Sequence, residues 1–367
     1  MELLKEMKRI KGAKNIKLDL PENVDGACGE VNIVDRFREY YEGVYNSSAS
    51  NEALEQIKDK VSQLLSDDHE SGNTQVEVNK LTGDIVKQAA VKMKPKKGDV
   101  SESYTSDAIL NAPYILFDLL ASVFRSWLIH GTVTLSLLAC AFLPLLKSSL
   151  KNPADVTSYR AIAGSSLLLK LFDQVVLILW GHLLHSDPLQ FGYKPGYSTT
   201  QCSWFVMETA SYFIRRKTPI IATLLDCTMA FDKCRFDILF QKLLDRNLPP
   251  VVLRVLMFVY QEQYAWVKWG KEKSRIFKIQ NGTRQGSVYF LFTWMIFFLV
   301  SESLELAVML VAFLLVLLGM QMTCSFFHHQ EVECRKCCNF VKPMPWITTS
   351  SSLHIQIHRK ARASAYT

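Results

Sequence analysis

The sequence predicts an α/β (α+β) fold, and three observations carry the prediction. SSLLLKLFDQVVLILWGHLLHS repeats apolar residues at helical spacing, and PIIATLLDC is a short apolar run fit for a buried strand. AWVKWG and RIFKIQ alternate apolar with polar residues, like the two arms of a hairpin. Helices mixed with short strands exclude a repeat array. At 367 residues and 49% hydrophobic content the chain can bury a sizeable core. A net charge of +7 permits a nucleic-acid partner without requiring one.

The elements follow in order. Residues 1–90 are polar and mixed, with one amphipathic segment, IVDRFREYYEGVY, that places Val34, Phe37, Tyr41 and Val44 on one helical face. Ser47 to Asn73 is rich in Ser, Asn, Asp and Glu and reads as a linker around one short helix. Lys87, Lys92, Lys94, Lys96 and Lys97 surround Pro95 and Gly98, a loop that gathers ammonium groups; a solvated charge run is the plain alternative. A helix starts at Pro113 and runs to a Gly131 stop. RFDILFQKLLDRN and PPVVLRVLMFVYQEQ are two helices separated by Pro249 and Pro250.

The nine cysteines are scattered through the first 234 residues and then bunched at Cys324, Cys334, Cys337 and Cys338. The opening MELLKEMKRIKG lacks the apolar core of a signal peptide. Both features lead us to expect a reducing, intracellular compartment, nucleus or cytoplasm, and not secretion.

Three short stretches have the residue types of a chemical site. In LLDCTMAFD a buried-type strand ends on Asp226, with Phe231 and Asp232 shortly after; a strand-end carboxylate can hold Mg²⁺, a small hard cation that wants few, well-placed oxygens. Taken alone, such a carboxylate is more often an ordinary turn residue. QFGYKPGYSTTQ has Gly192, Pro195 and Gly196 around Lys194, then hydroxyl residues able to cap the next helix; a plain loop and N-cap is its bland reading. In NGTRQGS, Gly282 and Gly286 flank Arg284 and Gln285, which would bring backbone close to a ligand; Asn-Gly is also simply a turn.

In their order and spacing these pieces resemble the reverse transcriptases of non-LTR (LINE-type) retrotransposons. The matching blocks are MKPKKGDVSESYTSDAILNAP, FRSWLIHGTVT, SYRAIAGSSLLLKLFD, QFGYKPGYSTTQ, TLLDCTMAFD and NGTRQGSV, from about Met93 to Val288. The resemblance implies a right-hand polymerase fold with fingers and a partial palm at 91–290, the thumb missing. Residues 1–90 then resemble the connecting region upstream of the polymerase, partly disordered, and cleavage of target DNA is not encoded in this chain.

The resemblance also implies roles. Asp226 would be the first metal ligand and a catalytic residue, with Mg as cofactor. Phe231 would block the ribose 2′-OH of an incoming nucleotide. Gly282, Arg284, Gln285 and Gly286 would contact template and nucleotide. Arg160, in SYRAIAG, would meet the triphosphate through its guanidinium; a surface charge is its plain alternative. The implied partners are an RNA template and a DNA primer, with no small-molecule cofactor.

One family motif is missing. A Tyr-Ala-Asp-Asp tetrad should follow the NGTRQGS loop by some thirty residues, yet beyond Gly286 the acidic residues are Glu302, Glu305, Glu331 and Glu333. Methionine and tryptophan each have one codon, so they fix much of the underlying DNA. Read from the third base of each codon, Gly319, Met320, Gln321, Met322 and Thr323 permit Tyr-Ala-Asp-Asp, with Ala and the last Asp forced. The same offset at Phe292 to Ile296 gives Tyr or His, an apolar residue and two forced aspartates. At Pro343 to Thr349 it permits Tyr-Ala-Met-Asp-His-Asn.

Three sites sharing one offset lead us to expect a reading-frame slip near Val288 to Phe292 and no polymerase activity from the chain as written. Residues 291–367 are then expected to be an aberrant apolar segment and a disordered tail. Leu306 to Met320 is shorter than the roughly 20 residues that span a bilayer, so membrane association is not expected, although joined to FTWMIFFLV it could mimic a hairpin. His328, His329, Cys334, Cys337 and Cys338 match no ordinary zinc spacing.

Overall fold

The computed structural model describes residues 21–47, 51–148, 150–184, 191, 196–217, 222–227, 232–283 and 357–363, and at 51, 222–227 and 357–363 the backbone alone. A small hairpin comes first. Its strands β1 (Asn23–Val24) and β2 (Ala27–Cys28) are joined through Asp25 and Gly26, both at positive φ (49 and 83), the mirror-image geometry that an Asp-Gly turn favours. Helix α1 (Glu30–Tyr45) follows and buries Ile33, Val34, Phe37, Tyr41 and Tyr45. The face expected from sequence is nearly right, except that Tyr45 is the buried residue of the last turn and Val44 is half-buried.

The stretch read as a linker around one short helix is instead α2 (Asn51–Glu70), 20 residues long. Leu54, Ile57 and Val61 recur at helical spacing and are buried against α9 and α10, defined below. Its other faces are solvated, which accounts for its polar composition. Two short helices, α3 (Asn73–Asn79) and α4 (Gly83–Val91), continue the chain. Residue 90, the expected boundary, therefore falls inside α4, whose Val86, Ala89 and Ala90 are buried.

After α5 (Ser106–Leu110), helix α6 (Tyr114–His130) begins behind Pro113 and ends where Gly131, at φ 71, returns its N–H to the Trp127 carbonyl at 2.8 Å. Strand β3 (Ala139–Leu146) then pairs antiparallel with β4 (Tyr159–Ser165), in a register from Cys140 opposite Ser165 to Leu146 opposite Tyr159. Helix α7 (Leu167–Trp180) is the periodic helix the sequence predicted. Helix α8 (Thr199–Arg215) opens with a capping box between Ser198 and Gln201. Among the described residues it buries Phe213 and leaves Trp204, Phe205, Val206, Met207 and Tyr212 exposed.

Strand β5 (Ala222–Cys227), α9 (Phe236–Asp245) and α10 (Pro250–Gln261) come next, the two helices divided by the paired prolines as expected. The predicted hairpin is β6 (Tyr264–Trp269) with β7 (Glu272–Lys273) and β8 (Phe277–Lys278), both antiparallel to β6. Because β6 also pairs in parallel with β3, the order β4-β3-β6-β7, with β8 also on β6, forms one five-stranded sheet. Mixed helices and sheets bear out the α/β class.

Helix α1 lies on this sheet. Phe37 meets Tyr159 and Trp269 at ring distances of 5.0 and 4.9 Å, and Tyr45 meets Phe142 at 5.0 Å. Burying a phenylalanine fully contributes about 2–3 kcal/mol, so α1 is integral to the core and not an appendage. A second aromatic cluster, Phe124, Trp127 and Phe172, joins α6 to α7.

A further strand, β9 (Ile357–Ala363), lies parallel to β5 with Asp226 opposite Arg362. It falls in the stretch for which the sequence predicted no ordered segment. A strand edge offers a row of N–H and C=O groups to any extended chain, whatever its side-chain pattern. The apolar run at 291–322 and the histidine and cysteine group at 328–338 lie outside the described residues.

Candidate functional site

The sequence put Asp226 at the end of a buried-type strand, and the backbone agrees: Asp226 is the penultimate residue of β5. Asp232, six residues further along the sequence, is tied to two distant segments. From the last turn of α1, the Tyr45 phenol donates to Asp232 Oδ1 at 2.7 Å. From the NGTRQGS stretch, Asn281 Nδ2 donates to the Asp232 carbonyl at 2.7 Å and to the Val44 carbonyl at 3.0 Å. The Gly282 N–H donates to the Cys234 carbonyl at 2.7 Å, and the N–H groups of Gln280 and Asn281 both reach the Tyr45 carbonyl at 3.0 Å.

These bonds make a three-way clasp. The carbonyls at the end of α1 have no partners within the helix, and the Gln280–Asn281 backbone supplies donors for one of them. Asn281 and Thr283 are buried, so their polar groups must be bonded inside the protein. Gly282 adopts φ +84, and a Cβ there would stand 2.5 Å from the Asp232 carbonyl oxygen and 2.8 Å from the Tyr45 ring. Only glycine fits a backbone that close in that conformation. The described contacts of Gly282 are thus internal.

Burial, Asp232 and the hydrogen bond to it hold the Tyr45 phenol well above its ordinary pKa, and burial with neighbouring Tyr40 does the same to Tyr41. Cys234 is pushed up to about 12 by burial and by Asp237, so it stays a thiol at neutral pH. Arg235 forks onto Asp237, with Nε to Oδ1 at 3.1 Å and Nη2 to Oδ2 at 2.6 Å, and so fixes the entry to α9.

Arg160 sits in β4 opposite Leu145, exposed on the face away from buried Tyr159 and Ala161. Phe231, Arg284, Gln285 and Gly286 lie outside the described residues. The clasp therefore brings together the segment that follows Asp226 and the segment that leads to Arg284. Tyr45 was legible only as the last residue of the amphipathic segment IVDRFREYYEGVY, with no signal of its bond to Asp232, whereas Asn281 was visible only as half of a turn.

Among the described residues, no three His, Cys, Asp or Glu side chains converge as a metal site. A strand-end position for Asp226 is the single feature in common with a Mg²⁺ site, and one carboxylate does not complete a two-ion donor set. No helix among the described residues is long and apolar enough to cross a membrane.

The family model described as reverse transcriptase (RNA-dependent DNA polymerase) matches residues 147–307. That span is less than half of the chain. It takes in Arg160, Asp226, Phe231 and the whole NGTRQGS stretch, and it supports a reverse-transcriptase-like function, in a family whose members bind template and primer. Reverse transcriptases generally use divalent metal ions. The match continues past Val288 to Phe292 and stops before Gly319. No curated protein matches the chain.

Proposed function

We propose that this chain derives from the polymerase of a non-LTR (LINE-type) retrotransposon, with fingers and part of the palm at 91–290, and that as written it does not polymerise. The observation that carries the reading is the clasp: Asn281 and Gly282 hold the NGTRQGS stretch against Asp232 and Cys234. In the family the chain resembles, the corresponding loops must meet at the nucleotide. Bonds between Asp232, Cys234 and the Asn281–Gly282 turn support that reading, because they join the described flanks of the two stretches.

Inactivity follows from the missing tetrad. Two metal ions set against a triphosphate need paired carboxylates besides Asp226, and the sequence past Gly286 supplies none. The shared codon offset places the lost tetrad at Gly319 to Thr323 in a shifted frame. Genomic and transcript sequence across codons 280 to 350 is the direct check: codons that exclude the tetrad would overturn the frame slip. Incubation of the purified chain with a primed RNA template, deoxynucleotides and Mg²⁺ should give no extension. Extension that disappears in Asp226→Ala would overturn the inactivity.

Without catalysis, the family's remaining property is sequence-independent binding of nucleic acid. The net charge of +7 and the exposed lysines of the 92–97 loop favour that role for this chain.

A further inference from the structure

The lysine loop that the sequence singled out is a built structure. Ser106 Oγ donates to the Lys94 carbonyl at 2.8 Å and accepts from the Lys97 N–H at 3.0 Å; the Ser106 N–H returns to the Lys97 carbonyl at 2.7 Å. The Lys96 N–H is taken by Asp107 Oδ2 at 3.0 Å, and the loop closes through a bridge between Gly98 and Thr105 and a bond from the Asp99 N–H to the Tyr104 carbonyl at 3.0 Å. With the backbone anchored, Lys94, Lys96 and Lys97 are exposed, and none makes an ion pair among the described residues.

At the tip of this closed loop stands Glu102, itself at φ 59. Its carboxylate reaches the β6–β7 hairpin, 2.5 Å from Lys268 Nζ and 3.9 Å from Lys273 Nζ. Lys271 lies between them on the hairpin turn, exposed, and its backbone N–H is held by Glu30 at 3.1 Å. One carboxylate thus links two lysine-bearing segments 166 residues apart in sequence. The hydrogen bond from Lys268 and the charges of Lys268 and Lys273 hold Glu102 below its ordinary pKa, so it remains an anion at neutral pH.

We propose that Lys94, Lys96 and Lys97 of the loop and Lys268, Lys271 and Lys273 of the hairpin form one surface for the phosphate backbone of single-stranded RNA, with Glu102 as an internal anion that the RNA displaces. The proposal rests on the nucleic-acid-binding reading above and deepens it. An exposed ion pair is weakly held and salt-screened, so a phosphate competes readily for the same two ammonium groups. Glu102 therefore sets the threshold of binding without contributing to it. A polyphosphate releases many counterions at once and so outcompetes this single carboxylate.

The test is fluorescence anisotropy of a labelled oligouridylate with the full chain over a series of KCl concentrations. Lys94→Glu/Lys96→Glu/Lys97→Glu and Lys271→Glu/Lys273→Glu should each weaken binding by about tenfold or more and flatten the log–log salt slope by roughly 0.7 per lysine. Glu102→Gln should do the opposite, tightening binding with little change of slope, because the RNA meets the same lysines in both chains and no longer has to displace a carboxylate. Lys60→Glu, on exposed α2, is the control for charge reversal away from the proposed surface.

Binding that persists with loop and hairpin variants no weaker than Lys60→Glu would overturn the surface while leaving the nucleic-acid reading intact. A Glu102→Gln chain that melts like the unmodified one yet binds no more tightly would overturn the role of Glu102. No oligouridylate binding at all, or binding to phosphatidylserine vesicles alone, would overturn both the surface and the reading.

Discussion

Tyr45 and Asp232, 187 residues apart, share a hydrogen bond of 2.7 Å that fastens the end of the first long helix to the turn after β5. The phenol is buried and its partner is a carboxylate, the stronger class of hydrogen bond. Tyr45→Phe removes that bond and changes little else. We expect it to lower stability by about 1–2 kcal/mol, read as a shift in the urea midpoint at constant slope.

The same tyrosine sets an alkaline limit. Tyr41 and Tyr45 are both held well above 10.0 by burial, together with neighbouring Tyr40 for Tyr41 and Asp232 for Tyr45. The folded protein keeps those protons while the unfolded chain releases them from pH 10.0 upward. Stability is fully present below pH 10.0 and falls as pH rises above it toward the folded values. Thermal melts followed by circular dichroism should show this decline, and Tyr41→Phe/Tyr45→Phe should make it shallower.

Gly282→Ala should be among the most damaging single changes. It places a Cβ 2.5 Å from the Asp232 carbonyl oxygen at a φ of +84. Overpacking and a left-handed non-glycine residue together cost about 2–4 kcal/mol. An alanine variant that melts within a degree or two of the unmodified chain would refute the close approach.

Asp99 sets the acid limit. Its Oδ1 accepts from the Leu167 N–H at 2.7 Å at the start of α7, and Oδ2 accepts from the Ser101 N–H at 2.8 Å and hydroxyl at 2.6 Å. Burial raises its pKa, but the bonds from Ser101 and Leu167 outweigh that and leave it below 3.8. The stabilisation is present above pH 3.8 and is lost as pH falls through the lower folded value. Asp99→Asn, which turns one accepting oxygen into an NH2 donor, should cost about 1 kcal/mol at pH 7 and flatten the acid limb of the stability curve.

What the sequence revealed was local. The Pro113 start, the Gly131 stop, the Pro249–Pro250 break and the alternation of AWVKWG are signals written within a few residues, and each held. α2 was hidden because three buried residues at helical spacing are faint within a polar stretch. The order of LLDCTMAFD and NGTRQGS pointed to one neighbourhood, but no period or spacing could reveal that Tyr45 would be its third wall. Tertiary hydrogen bonds between distant segments leave no trace in a local pattern.

The parallel pairing of β3 with β6 and the bond from Asn281 to Val44, spanning 237 residues, also govern when the fold can form. As the chain leaves the ribosome, α1 emerges early but finds its closing partners only after residue 282 is made. Until then Phe37, Tyr41 and Tyr45 lack the strand β6 and the Asn-Gly turn that cover them. Topologies dominated by such late contacts fold slowly and expose apolar surface to other chains meanwhile. Synthesis must therefore run nearly to Thr283 before the face of the core under α1 is closed.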